Sequence, residues 1–314
     1  MKLSVKHIYT FLKILIPGIL LNSGVIQAQI EIQPGPAVTP EDMVENIVGD
    51  GIQYDNVTFQ GANVSRGIFN NGNTTNLGIN SGIFLTSGAG YNVPGPNVSC
   101  SAGSSNGTPG HPSLNAITTS TTFDAAVLEF DFIPESDTLR FKYVFGSEEY
   151  NEWVNTAFND VFGYFVTGPD PMGGMYSDKN VAIVPGTTNT SVTINNVNNG
   201  NKSCGTVPTG PCEYCAYYSD NTGGLTLEYD GLTTVLTAYL LVVPCEMYHI
   251  KMGVADAGDG IYDSGVFIEE NSFESPKIEV QSDPFPQGVS DNMIEGCVEA
   301  DIIFELPDPS YAPI

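Results

Sequence analysis

The chain predicts an all-β fold, an antiparallel β-sandwich of jelly-roll-like character with one short N-terminal helix. Three observations carry that expectation. Short stretches alternate apolar and polar residues, as Leu139, Phe141, Tyr143 and Phe145 do around Arg140 and Lys142. Turn signals built from Asn, Gly and Pro separate these stretches. No βαβ alternation and no fixed-period repeat interrupts the pattern. Composition agrees: 34 Gly and 21 Pro in 314 residues, with 41% hydrophobic, describe a turn-rich globular chain without the bias of disorder.

The elements follow in order. Residues 1–28 read as a signal peptide. Lys2, Lys6 and Lys13 supply positive charge, an interrupted apolar run extends from Phe11 to Leu21, and Ala28 suits a cleavage site. A membrane anchor is the alternative, but Pro17 and Gly18 break a run already short for a span. Residues 29–38 are Pro-rich and read as a linker. Thr39 then caps a short helix, Pro40 fits its first position, and Glu41 and Asp42 favour its positive end. Met43, Val44, Ile47 and Val48 give that helix an apolar face, and Gly49-Asp50-Gly51 stops it.

Strands are expected at 57–59, 67–69 and 83–86, followed by a long Gly/Ser/Asn/Pro loop from 91 to 121. Two strong strands occupy 126–133 and 139–145. Residues 161–166 and 181–184 are apolar enough to be buried strands, and 191–197 reads as a polar edge strand. Strands at 225–229, 233–243, 248–254 and 266–268 complete a domain spanning 39–273. Residues 274–293, with Pro276, Pro284 and Pro286, read as a second linker. Residues 294–314 read as the start of a truncated second β module, its first strand at 294–304.

Loss of a signal peptide would sharpen the charge balance. Three of the ten Lys+Arg and none of the 36 Asp+Glu lie in residues 1–28, so seven basic side chains against 36 acidic leave −29. An excess that large argues against nucleic acid and anionic membrane as partners. No later stretch is long and apolar enough to insert in a membrane as a helix, so the expected location is extracellular or on the cell surface. Cys100, Cys204, Cys212, Cys215, Cys245 and Cys297 form an even set that implies disulfides, with 15 possible pairings. A bridge from the loop holding Cys204, Cys212 and Cys215 to Cys245 would tie that loop to a strand. The Cys212-Glu213-Tyr214-Cys215 spacing lacks the second CxxC that a zinc site needs.

Two acidic groups carry the candidate chemistry. Glu148, Glu149, Asn159 and Asp160 form one; Asp256, Asp259 and Asp263, in a Gly-rich turn, form the other. A sandwich can bring two such loops together at one end. Ca²⁺ takes six to eight oxygens from carboxylates, amides and backbone carbonyls, and Gly-rich turns expose carbonyls. The spacing is not that of an EF-hand. Two other readings stay open. The same residues can cap turns and remain solvated. Alternatively, Glu148 or Glu149 with Asp160 or Asp263 supplies the paired carboxyls of glycoside hydrolysis. The chain lacks HExxH and phosphate-loop motifs, which leaves non-enzymatic function as the expectation. His249 reads as structural. Trp153 either stacks on a sugar or packs its loop onto the core.

With these landmarks in place, the chain resembles the choice-of-anchor L domain of exported surface proteins from gliding and other Bacteroidota. The resemblance rests on Thr39-Pro40-Glu41, Asn56-Val57-Thr58-Phe59-Gln60-Gly61 and Ser81-Gly82-Ile83-Phe84-Leu85-Thr86-Ser87-Gly88. Its most specific part is Phe141-Lys142-Tyr143-Val144-Phe145-Gly146-Ser147-Glu148-Glu149-Tyr150, then Phe158-Asn159-Asp160-Val161-Phe162-Gly163. Ala182-Ile183-Val184-Pro185-Gly186-Thr187 and Asp263-Ser264-Gly265-Val266-Phe267-Ile268-Glu269 complete it. It implies an extracellular module of large multidomain surface proteins, often ending in a sorting or gliding-associated signal that is not legible here. The combined expectation is a non-catalytic adhesion or recognition module, Ca²⁺-stabilised, whose ligand is a glycan or an extracellular protein. A purely structural spacer and a carbohydrate-active hydrolase are the alternatives.

Overall fold

Alternation becomes ladder where it is strongest. The computed structural model describes residues 29–212, 214–276, 279–282 and 302–305. Among them two antiparallel sheets face each other. One joins β1 (Glu31–Pro34), β3 (Arg66–Asn70), β4 (Gly82–Thr86), β13 (Ser264–Glu269), β6 (Thr138–Ser147), β10 (Gly231–Thr233) and β9 (Tyr218–Asp220) in that order. Its eighth strand, β11 (Leu236–Leu241), pairs with the first part of β6. The other sheet runs β2 (Ile52–Gln60), β5 (Thr122–Pro134), β12 (Tyr248–Ala257), β7 (Val161–Pro169) and β8 (Met175–Asn180).

The core lies between the sheets. Phe141, Tyr143 and Phe145 of β6 meet Phe162 and Tyr164 of β7 and Ile250, Met252 and Val254 of β12, all essentially inaccessible. Helix α1 (Pro40–Ile47) closes this core with Met43, Val44 and Ile47. Its start is the expected one: Thr39 Oγ1 accepts from Asp42 N–H at 3.1 Å, and Asp42 Oδ2 accepts from Thr39 N–H at 2.8 Å. A second helix, α2 (Pro112–Asn115), covers a satellite core on the outer face of the smaller sheet.

At the far boundary Phe273 packs on Phe130, Phe132 and Phe141, with ring centroids 5.2–5.3 Å apart. The backbone there is also paired. Phe273 N–H donates to Ile47 at 2.9 Å, and Glu274 and Arg140 exchange both backbone hydrogen bonds at 3.0 Å.

Several expected elements come out differently. The long strand at 233–243 is split into β10 and β11, because the Thr233 hydroxyl takes the Phe145 N–H (3.0 Å) that a continuous ladder would use. The stretches 181–184 and 191–197 form no strand. They touch through the single bridge Ile183–Ser191, and Val192, Ile194 and Val197 are buried rather than at a polar edge. Asparagine amides take over the backbone bonding: Asn198 Nδ2 donates to Ile194 O at 2.9 Å and Asn196 Nδ2 to Ser191 O at 2.8 Å. Residues 225–229 offer one bridge, Pro94–Leu227, instead of a strand.

The lead read as a linker contains β1, paired along β3. Within 274–293, β14 (Glu279–Ser282) pairs antiparallel with β15 (Ile302–Glu305) from the 294–314 segment. The signal-peptide reading of 1–28 falls outside the described residues, as does most of 277–314. Of the open pairings, the one from the loop holding Cys204, Cys212 and Cys215 to Cys245 does not form. Cys100 pairs with Cys204 and Cys212 with Cys215, while Cys245 is exposed and has no disulfide partner among the described residues; Cys297 lies outside them.

Candidate functional site

Strand register decides where the acids go. Ser147, the last residue of β6, sits opposite Ser264, the first of β13. In the other sheet Val161, the first residue of β7, sits opposite Ala255 near the end of β12. Both sheets therefore deliver their acidic flanks to one end of the sandwich. Glu148 and Glu149 leave β6 there, Asp160 enters β7, Asp256 is next to last in β12 and Asp263 enters β13.

These five carboxyls are inside the protein. Glu148, Glu149 and Asp256 are 1% exposed, Asp160 is 0% and Asp263 is 4%. Asp160 is held by Ala257 N–H at 2.8 Å and by the Ser264 hydroxyl at 2.6 Å; Ser264 Oγ also lies 2.8 Å from Ser147 Oγ. Asp263 accepts from Ser104 N–H at 2.8 Å, and its own carbonyl accepts from Glu148 N–H at 3.0 Å. The fit is close: a Cβ on Gly88 would fall 1.6 Å from Asp263 Oδ2, so only glycine serves there.

What the end lacks is positive charge. None of the ion pairs among the described residues reaches these five carboxyls. Burial, then the Asp230 and Glu228 charges, push Glu148 up to about 10. Burial, then Asp160 and Asp259, raise Glu149 as well. Burial raises Asp160 and Asp263 although each accepts hydrogen bonds that act the other way, and burial with the Asp160 charge holds Asp256 well above the carboxylate range. Glu148 Oε1, Glu149 Oε2 and Asp256 Oδ1 are buried and have no hydrogen-bond partner. No three carboxylate oxygens of the cluster lie within 4.8 Å of one another. Among the described residues the one trio that does is Cys100, Glu152 and Cys204, and its sulfurs are joined as a disulfide.

The two remaining expected site residues stand apart from this interior. Asn159 Oδ1 accepts from Asn195 N–H at 3.0 Å, so Asn159 anchors a neighbouring loop. Asp259 is half-buried and caps its own turn through Ile261 N–H at 3.2 Å, though its charge is felt by Glu149 and Asp160.

Other residues complete the site without having been singled out. Asp124, in the left-handed region at φ 49°, gathers Thr108 N–H, Asn106 N–H and the Ser105 hydroxyl at 2.6, 3.1 and 2.8 Å. Asp230 accepts from Asn97 Nδ2 at 2.8 Å, and burial lifts it to about 7. Glu228 and the serines 87, 147 and 264 belong to the same end. Asp230-Gly231 and the serine beside Asp263 were the available signals, but each is common turn chemistry. Trp153 is half-buried, edge-on to Phe158 (5.1 Å) and stacked on Tyr262 (6.1 Å).

A family model for the choice-of-anchor L domain matches residues 31–274. The chain belongs to the choice-of-anchor L domain family. No curated protein and no solved structure matches it. Family membership suggests a surface-associated, non-enzymatic domain and implies export. Among the described residues no helix is long and apolar enough to cross a membrane.

Proposed function

We propose that this choice-of-anchor L domain is a Ca²⁺-braced recognition module of a bacterial surface or secreted protein. The observation that supports it is the buried acidic end: five carboxyls without a cationic partner, three of them with an oxygen that nothing in the protein satisfies. Burying ionised carboxylates without compensation is costly, so they must keep their protons or share a cation. An exported protein meets millimolar Ca²⁺, and carboxylate-rich loops are its natural ligands.

Glu149, Asp160 and Asp256, with Asp259 at the rim, would hold the ion. Binding would draw these oxygens together and displace their protons. The braced loops carry Trp153, Tyr262 and Ile261, the last 54% exposed, and these form the surface for a glycan or an extracellular protein. Hydrolysis is disfavoured by access: a sugar would have to reach carboxyls that are 4% exposed or less.

Thermal unfolding of the full chain at neutral pH tests the ion. Millimolar Ca²⁺ raises the melting temperature, a chelator reverses the rise, and Asp256→Asn abolishes it. No shift in the wild type would leave the acids as protonated turn chemistry in a structural spacer. Glycan and matrix-protein binding with and without chelator then tests recognition, with Trp153→Ala expected to reduce it.

A further inference from the structure

The loop that holds Cys204, Cys212 and Cys215 carries two disulfides of different kinds. Cys100–Cys204 joins residues 104 apart in sequence, and both of its arms are tied down. Asn201 and Thr209 exchange backbone hydrogen bonds at 2.8 and 2.6 Å, and Ala102 N–H donates to Glu148 at 3.3 Å. Cys204 is exposed but Cys100 is half-buried. Cys212–Cys215 joins residues only three apart. A bridge restrains the unfolded chain according to the loop it closes, so this one adds little to stability. It fastens its segment to nothing else. Gly210, Pro211, Cys212, Tyr214, Cys215 and Ala216 are exposed, and the backbone bond there is local, from Tyr217 N–H to Tyr214 O at 2.9 Å. Firm anchoring starts at the next residues. Thr234 N–H donates to Tyr217 O at 2.8 Å, the Tyr218 hydroxyl donates to Asn151 Oδ1 at 2.7 Å, and the Tyr218 ring stands 4.9 Å from that of Tyr150. Tyr214, between the two cysteines, has φ 43°, a left-handed conformation that a side chain of its size adopts at a cost. Ring closure across Cys212 and Cys215 keeps Tyr214 in that turn, and opening the ring releases it.

We propose that Cys212–Cys215 is a thiol–disulfide exchange site whose substrate is an accessible dithiol. Exposed or strained bridges are the exchangeable ones, and this bridge is both, whereas Cys100–Cys204 is the structural staple. An incoming thiolate attacks one sulfur of the pair. The S–S bond breaks, and the other sulfur leaves as a thiolate and takes a proton from water. The second thiolate of the incoming dithiol then attacks the mixed disulfide, closes its own disulfide and frees the remaining cysteine, which is protonated in turn. Two electrons and two protons pass from the dithiol to the loop, and the reverse sequence reduces a partner's disulfide. A lone thiol serves less well. The cysteine it releases lies three residues away and expels it again, while a second thiol in the same molecule competes with that return at similar effective concentration. The exchange site stands apart from the acidic end and does not depend on Ca²⁺.

Equilibration of the full chain with graded mixtures of reduced and oxidised dithiothreitol tests this. Free thiols are blocked beforehand, and the thiols that appear are alkylated and located by peptide mass spectrometry. Cys212 and Cys215 are expected to reach half-reduction at a dithiol-to-disulfide ratio about tenfold or more below that of Cys100 and Cys204, the gain from freeing Tyr214. At that ratio circular dichroism is expected to be unchanged. Equal ratios for the two bridges, or Cys100–Cys204 opening first, overturn the site. Thermal unfolding gives the second reading. The double variant Cys212→Ser/Cys215→Ser is expected to melt close to the wild type, and Cys100→Ser/Cys204→Ser well below it. Equal losses in the two double variants make Cys212–Cys215 a structural bridge and overturn the proposal. If either double variant fails to fold, the order of reduction in the wild type decides alone.

Discussion

Carboxyls occur in two settings in this molecule. On the outer face of the smaller sheet, Asp131 meets His249 Nδ1 at 2.7 Å and Asn56 Nδ2 at 2.8 Å, and Asp178 meets Lys251 Nζ at 2.8 Å. Burial alone would raise both acids, but these donors and their charge bring both below the usual carboxylate value. At the sandwich end, Glu148, Glu149, Asp160, Asp256 and Asp263 have burial without a cation, and all five move upward. Carboxyls of similar intrinsic acidity are thus driven in opposite directions by the presence or absence of a basic neighbour. The outer face is electrostatically complete in itself. The end is not, and the proposed ion would complete it.

The contrast can be broken in several ways. The largest effect is expected from the covalent staple over the acidic end. Cys100–Cys204 closes a sequence separation of 104, and replacing both cysteines by serine should cost about 3–5 kcal/mol in urea unfolding. Asp160→Ala follows at about 2–4 kcal/mol, because it leaves the Ala257 N–H buried without an acceptor and the Ser264 hydroxyl with Ser147 Oγ alone.

A pH series in chelator sharpens the contrast further. An acid that holds its proton more tightly when folded contributes stability below its unfolded pKa. That contribution drains away as pH rises toward the folded value. For the buried end the loss begins above the ordinary carboxylate values of 3.8–4.5 and continues toward the value of about 10 at Glu148. The melting temperature should therefore fall between pH 5 and pH 8 in chelator, and Ca²⁺ should close the gap. The paired acids work the other way: their contribution is present above 3.8 and is lost as pH falls below it. A melting temperature that rises from pH 5 to pH 8 without Ca²⁺ would mean that the buried acids already have a counter-charge. The smallest effect belongs to Lys251→Met on the outer face, at about 1 kcal/mol or less. A cost equal to that of Asp160→Ala would erase the distinction.

Much of this was legible in the sequence, and the reason is physical. Period-two alternation reports which side chains are buried, so β5, β6, β7 and β12 and the sandwich itself could be read directly. The same signal says nothing about who bonds the backbone. The Thr233 hydroxyl breaks a strand, and the amides of Asn196 and Asn198 replace one, though both stretches have strand-like side chains. At the site, the acids between Glu148 and Asp263 stood out because Gly-rich turns frame them. Asp124, Glu228 and Ser264 did not, because their roles depend on contacts across long stretches of chain. Adjacency to Asp160 does not fix where the Asn159 amide turns, and its oxygen accepts from Asn195 N–H.

The boundary at Phe273 has a mechanical consequence. A surface module is pulled through its flanking chain, and here that chain leaves by way of rungs shared with two other elements. Tension applied beyond Ser275 falls on the Glu274–Arg140 backbone pair, the Arg140 Nε–Glu274 Oε1 contact at 2.7 Å, and the Ser275 N–H bond to Asp50 O at 3.1 Å. Behind them Phe273 is wedged among three phenylalanines contributed by both sheets. The load is thereby spread into the interior of the sandwich instead of peeling away a terminal strand.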